Sequence, residues 1–401
     1  MFRLTQYMHE VLDPKPIGPK RTPPGPVVIW NLTRRCNLTC KHCYALAVDK
    51  AFPDELSTEE CFAVLGDLKA AGVPALILSG GEPMVRDDLF DISAEAKRIG
   101  LYVALSSNGT LIDEKNIKDI AAADYGYVGI SIDGIEATHD TFRRKDGAFA
   151  ASMRGVDLCV AKGLKVGLRF TMTQDNAHDL PAVLDLMDAH GVDRFYFSHL
   201  NYAGRGNHNR KDDAFFKLTR EAMTGLFERC LDDLQAGREI EYVTGNNDAD
   251  AIWFLKWVEN RFPDRVDHLR ARLEQWGGNA SGLYVANIDN IGNVHPDTMW
   301  WHKTIGNVKD RAFADIWADT SDPLMAGLKQ QPRPVKGRCG ACAYLSICGG
   351  NTRVRAEQIT GDPWEEDPAC YLDDGEIGVT PTRDRVVTVP FSKTKRLKKA
   401  G

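Results

Sequence analysis

The chain has 401 residues, length for two or three domains, and its 43% hydrophobic content is ample for a packed core. No apolar run reaches membrane-spanning length, and the opening MFRLTQYMHEV lacks the apolar stretch of a secretory signal, so a cytoplasmic protein with no membrane partner is expected. The net charge of −6 hides an asymmetry: residues 380–401 carry seven Lys/Arg against one Asp, which leaves the body at −12 and argues against a nucleic-acid partner.

Residues 1–26 turn proline-rich (DPKPIGPKRTPPGP) and read as an extended lead-in. Apolar, β-rich runs then recur at 27–33, 75–81, 102–109, 127–133, 165–172 and 194–200, separated by amphipathic helical patterns such as 57–72 and 182–191. Near-continuous apolar strands alternating with helices indicate a parallel sheet covered by helices. Six such units suit a barrel or partial barrel better than two separate domains. Thr33, Ser79, Asn108, Asp133, Thr171 and His199 fall at the C-terminal ends of these strands, the rim where such folds bind ligands. Residues 212–236 read as one further helix and 238–277 as helical. From Gly282 the texture changes to short strands and Gly/Pro turns, a small separate domain. The basic tail, 380–401, reads as a solvated terminus, although its charge could also attract an anionic partner.

Ten cysteines in a reducing compartment are poor disulfide material and good metal-ligand material, and seven of them fall in two tight groups. Cys36, Cys40 and Cys43 form C-x3-C-x2-C. A structural zinc site wants four ligands and a disulfide two. Three thiolates can hold three irons of a cubic 4Fe–4S cluster and leave the fourth open; zinc and a bare electron-transfer cluster are the competing readings. Followed by Tyr44, and one βα unit later by GGEP at 80–83, the trio resembles the radical S-adenosylmethionine (SAM) enzymes.

That resemblance implies an α/β fold, a partial (β/α)6 TIM-like barrel over 27–236. It implies a 4Fe–4S cluster on Cys36, Cys40 and Cys43, whose open iron chelates the amino and carboxylate groups of SAM. One electron, from a reducing flavodoxin or ferredoxin, then yields a 5′-deoxyadenosyl radical. Gly80, Gly81, Glu82 and Pro83 would form the loop that binds the SAM amino group, the glycines letting the backbone approach the ligand. SSNGT (106–110) and SIDG (131–134) resemble segments that touch SAM, which adds Ser107, Asn108, Ser131 and Asp133 to Tyr44 as candidates; Asn-Gly and Asp-Gly are also plain turn formers. Arg169 shares a strand face with Thr171 and would be costly there without an anion, a carboxylate of SAM or substrate.

The second group, Cys339, Cys342 and Cys348 (C-x2-C-x5-C) with Cys370, resembles the SPASM/twitch extension of many radical SAM enzymes, here an auxiliary iron–sulfur domain over 282–379 reached through a helical connector at 237–281. It departs from the full seven-cysteine pattern: Asp297 and Thr352 stand at two cysteine positions, and no cysteine lies between Cys230 and Cys339. The resemblance therefore implies one four-cysteine auxiliary 4Fe–4S cluster, two clusters in all, with zinc as the competing occupant. Cys61, Cys159 and Cys230 have apolar helical neighbours and read as core.

Over nearly its whole length, from WNLTRRCNLTCKHCY to CGACAYLSICGGNTRVRA, the chain resembles the tetrapyrrole-modifying radical SAM proteins, those of haem d1 biosynthesis most closely. The implied substrate is a didecarboxysirohaem intermediate whose propionate side chains are oxidised or removed. Such a flat, carboxylate-rimmed macrocycle needs aromatic surface and arginines. Trp300, Trp301, His302, Arg143, Arg144 and Arg205 are the candidates, and no catalytic residue is assigned. A SPASM-type peptide-modifying enzyme, a relative from the alternative haem pathway and a plain iron–sulfur electron carrier are the alternatives.

Overall fold

The structure, a computed structural model, describes residues 1–20, 22–214 and 216–380; the basic tail lies almost wholly outside them. Ten strands form one sheet: β1 Val27–Asn31, β2 Ala75–Ser79, β3 Tyr102–Ser107, β4 Tyr127–Ser131, β5 Val166–Met172, β6 Arg194–His199, β7 Glu241–Gly245, β8 Val285–Ile288, β9 Asn293–His295 and β10 Gly306–Asn307. Their order is β10-β9-β8-β1-β2-β3-β4-β5-β6-β7. From β8 through β7 every neighbouring pair is parallel, and β9 and β10 add antiparallel strands at one edge. The six expected strands are its centre.

The local sequence explains the elements between them. The helix Thr58–Ala70 starts at a capping box, Ser57 Oγ accepting the Glu60 N–H while Glu60 accepts the Ser57 N–H. Leu180–His190 stops at Gly191, whose φ of 65° ends the helix in a left-handed turn. Leu76, Leu78, Leu105, Val128, Ile130, Leu168, Phe195 and Phe197 are fully buried and make the core. Cys61, Cys159 and Cys230 belong to it, as expected.

Three expectations change. The lead-in is not wholly extended: Leu4–Leu12 is a helix burying Leu4, Tyr7, Met8 and Val11 at helical spacing, and Phe2 exchanges both backbone hydrogen bonds with Thr244 at 2.8 Å. The stretch 238–277 is not helical throughout, because its β-branched and aromatic start (EYVTG) becomes β7 before the helices Ala249–Arg261 and Val266–Trp276. Thirdly, the segment after Gly282 opens with β8, which pairs with β1 in register Val28↔Ala286 and so extends the main sheet.

Candidate active site

β1 delivers the chain through Leu32–Arg35 into the cysteine loop, which is fastened at several points. Cys36 N–H donates to Val48 O at 3.1 Å, Lys41 N–H to Phe142 O at 3.0 Å, and Arg205 N–H to Cys43 O at 2.9 Å. The Arg205 side chain adds bonds from Nε to Cys40 O (2.7 Å) and from Nη2 to Ala47 O (3.0 Å). Arg205 thus clamps the loop rather than standing free on the rim. Each thiol accepts an N–H: from Leu38 N to Cys36 at 3.4 Å, from Arg143 Nη1 to Cys40 at 3.5 Å, and from Ala47 N to Cys43 at 3.4 Å. None of the three is in a disulfide, and burial pushes the Cys36 and Cys40 thiols up.

The GGEP turn meets this loop through backbone. Gly81 N–H donates to Thr33 O (2.7 Å) and Glu82 N–H to Arg35 O (2.9 Å). A Cβ on Gly80 would lie 2.6 Å from Thr33 O, and one on Gly81 would collide with the carbonyls of Arg34 and Arg35. Both glycines therefore permit close backbone contact within the chain, between the GGEP turn and the start of the cysteine loop. Glu82 is fully buried; its carboxylate accepts from Ser107 Oγ (2.8 Å), Asn108 N (2.7 Å) and Met84 N (3.1 Å). Burial raises its pKa despite those bonds. Pro83 starts the short 3-10 turn Pro83–Val85 that carries the chain away.

Ser107 and Asn108 therefore face the loop's support. Asn108 also bonds Asn37 Oδ1 at 2.9 Å and brings its amide to 3.9 Å from Cys36 Sγ. Asp133 is fully buried, accepts the Thr171 N–H at 2.6 Å and is paired with Arg143. Its own N–H donates to His139 Nδ1 at 3.0 Å. Both Asp133 oxygens are used inside the protein, so it forms part of the wall. Ser131 lies half-buried opposite Arg169 in the sheet register. Arg169 donates to Ser106 Oγ and lies 5.1 Å over the Tyr196 ring. The Tyr44 hydroxyl accepts from Asn31 Nδ2 at 2.7 Å, and Asn31 in turn accepts from Asn287 at 2.5 Å, which joins β1, β8 and the loop.

A family model described as the radical SAM superfamily matches residues 30–197. The chain is 52% identical over 393 residues to the pre-heme d1 synthase of Dinoroseobacter shibae, covering 98% of this chain and 97% of that protein. The chain belongs to the radical SAM superfamily. The Fe-coproporphyrin III synthase of Methanosarcina barkeri is 43% identical, over 88% of this chain and 89% of that one. Among solved structures, Streptococcus suis SuiB bound to the precursor peptide SuiA matches with a TM-score of 0.69, covering 87% of this chain and 76% of that one; at 16% identity this likeness shows the fold alone.

Radical SAM membership implies a 4Fe–4S cluster and SAM. Among the described residues no three His, Cys, Asp or Glu side chains converge as tightly as a single metal ion needs. Three unpaired thiols, each with an N–H aimed at its sulfur, suit thiolate ligation.

The C-terminal cysteines show the same chemistry. Asp367 N–H donates to Cys339 Sγ at 3.4 Å and Tyr344 N–H to Cys342 Sγ at 3.3 Å, while the positive charge of Arg338 partly offsets the effect of burial on Cys370. All four thiols are free of disulfides, and burial raises each of them. The two positions that lack cysteine are spoken for. Asp297 accepts from Ser281 Oγ and, at 2.7 Å, from Met299 N, and Thr352 donates to Asn246 O at 3.3 Å.

The six substrate candidates separate. Trp300 is fully buried core. His302 is exposed and bonded to Glu357 at 2.6 Å. Arg144 is exposed, in a left-handed turn (φ 57°) that ends its helix, and Arg143 and Arg205 are turned onto the cysteine loop. Trp301 alone joins the site's aromatic surface: it is half-buried, stacked on His295 (5.8 Å, 14°) and 6.0 Å from the Tyr44 ring. Sequence reasoning passed over His42, inside the C-K-H-C step, whose ring lies 4.8 Å from Phe142. It also missed the buried His199–Asp250–Tyr371 network (2.9 and 2.8 Å), which joins the end of β6 to the neighbour of Cys370; of these residues only His199 stood out in the sequence, as a strand-end residue.

Proposed function

We propose that this protein is a radical SAM enzyme of haem d1 biosynthesis that acts on the propionate side chains of a didecarboxysirohaem intermediate. The observation that carries this reading is the 52% identity to a pre-heme d1 synthase across 98% of the chain. Cys36, Cys40 and Cys43 would hold three irons of the first 4Fe–4S cluster, and Cys339, Cys342, Cys348 and Cys370 all four of an auxiliary one. When bound, the first cluster and SAM supply a 5′-deoxyadenosyl radical that abstracts hydrogen from a propionate.

The chain's own residues hold the site in shape for this. Arg205 and the Gly80–Gly81 turn fix the loop, and Glu82 ties the ends of β2 and β3 behind it. Tyr44 and Trp301 offer aromatic surface to a flat macrocycle, and Arg169, half-buried on β5, offers a cation to a carboxylate. A reducing flavodoxin or ferredoxin would deliver the electron, in the cytoplasm; no helix among the described residues is long and apolar enough to cross a membrane.

The 43% likeness to an Fe-coproporphyrin III synthase favours a second reading, in which the enzyme serves the alternative haem pathway. Anaerobic incubation with SAM, dithionite and didecarboxysirohaem, followed by mass spectrometry, separates the two. A mass loss from the propionates supports the first reading, and formation of an iron coproporphyrin selects the second. Turnover of a precursor peptide with no tetrapyrrole turnover rejects both.

A further inference from the structure

The helix Glu136–Arg143 ends in a residue whose side chain turns back under the cysteine loop. Arg143 is only 6% exposed. Its Nη1 donates to Cys40 Sγ at 3.5 Å, and the same guanidinium is paired with Asp133, whose other oxygen is taken by the Thr171 N–H at 2.6 Å. The turn is fastened in place, since Phe142 O accepts the Lys41 N–H at 3.0 Å and the Phe142 ring lies 4.8 Å from that of His42. The sulfurs of Cys36 and Cys43 accept from the backbone amides of Leu38 and Ala47. Cys40 receives a donor that carries a full charge, and that charge has its own buried counterion.

We propose that Arg143 and Asp133 form a charge couple that sets the reduction potential of the cluster on Cys36, Cys40 and Cys43. The inference rests on those three cysteines being its ligands. Reduction takes the 4Fe–4S core from 2+ to 1+ by one electron from an external low-potential donor, with no bond made or broken and no proton taken up. The added negative charge is stabilised by a hydrogen bond to a ligand sulfur and by a positive charge held in a low-dielectric surrounding. Arg143 therefore raises the potential, and Asp133 moderates that effect while holding the guanidinium against Cys40. An arginine that grips a substrate carboxylate needs its fork free; this one has Nη1 on Cys40 and Nη2 on Asp133, and only its buried Nε is left without a hydrogen bond. Arg143 and Asp133 are thus tuning and positioning residues rather than contacts to substrate or SAM.

The opposite signs of the two charges give the test. Full-length protein, reconstituted anaerobically and free of SAM, is titrated with titanium(III) citrate and followed by electron paramagnetic resonance. The signal that changes when SAM is added to a parallel sample identifies this cluster. The midpoint should fall in Arg143→Met, rise in Asp133→Asn, lie between wild type and Arg143→Met in Arg143→Lys, and stay unchanged in Arg144→Gln, which removes an exposed charge next door. A midpoint in Arg143→Met equal to wild type overturns the proposal, and so does a shift of both variants in one direction, which marks a merely structural role. Should Arg143→Met fail to load iron, the Arg143→Lys and Asp133→Asn pair decides by the same signs. Absence of any SAM-responsive 4Fe–4S signal from wild type would instead reject the ligand assignment itself.

Discussion

Glu82 Oε2 accepts the Asn108 backbone N–H at 2.7 Å, so one buried carboxylate joins the turn after β2 to the end of β3. Removing it strands that N–H together with the Ser107 hydroxyl and the Met84 N–H. Each buried group left without a partner costs about 1–3 kcal/mol. Glu82→Ala should therefore lose about 3 kcal/mol or more of stability and, because Asn108 lies against Cys36, retain less iron after reconstitution. Glu82→Gln keeps one carbonyl acceptor and should lose less. Thermal unfolding and iron assay on the same samples check both.

Arg205 makes two side-chain hydrogen bonds to carbonyls of the cysteine loop, at Cys40 and Ala47. Arg205→Met keeps much of the stem's packing and removes the donors, so the loop should open more readily. With about 1 kcal/mol lost per bond, iron release to a chelator should speed up by roughly thirtyfold, read as bleaching of the cluster's visible absorbance. An unchanged rate would return Arg205 to the list of substrate contacts.

The sequence displayed the strands and the cysteine groups well and the supporting contacts poorly, for one physical reason. Runs such as ALILS and YVGIS declare buried parallel strands locally, and the spacing of Cys36, Cys40 and Cys43 declares converging thiols. The roles of Arg143 and Arg205 depend on partners 103 and 165 residues away, which no local pattern encodes. Gly81 was legible as a position needing close approach, but what approaches is the Arg35 carbonyl. The helix Leu4–Leu12 was obscured by the proline-rich segment after it, and β7 by the helical patterns that follow.

His139 is a buried acceptor for the Asp133 N–H. Burial, reinforced by the positive charge of Arg143, lowers its pKa from 6.5 to about 3. Its folded value is depressed, so the neutral ring's contribution is present above about pH 6.5 and is lost as pH falls toward about 3. Between about pH 7 and about pH 5 this one group should remove about 2 kcal/mol of stability. His139→Gln offers a non-titrating acceptor and should show a shallower acid decline, measured by urea unfolding at the two pH values. Parallel declines in both proteins would contradict it.

Two cubic clusters require about eight irons per chain, against about four for one and about twelve for three. Asp297 and Thr352 are engaged in internal hydrogen bonds, so a third cluster is not expected. Iron and sulfide analysis after anaerobic reconstitution should give about eight of each, and Cys370→Ser should make the C-terminal cluster labile while SAM binding survives. Four irons with zinc at the C-terminal cysteines would correct the account there.

The measurement that bears most directly on the whole account is reductive cleavage of SAM by wild type and Cys40→Ala, compared at matched C-terminal cluster content. The account predicts 5′-deoxyadenosine from wild type in the presence of dithionite and none above background from Cys40→Ala, with the C-terminal cluster's spectrum retained in both. Undiminished 5′-deoxyadenosine formation by Cys40→Ala would contradict it.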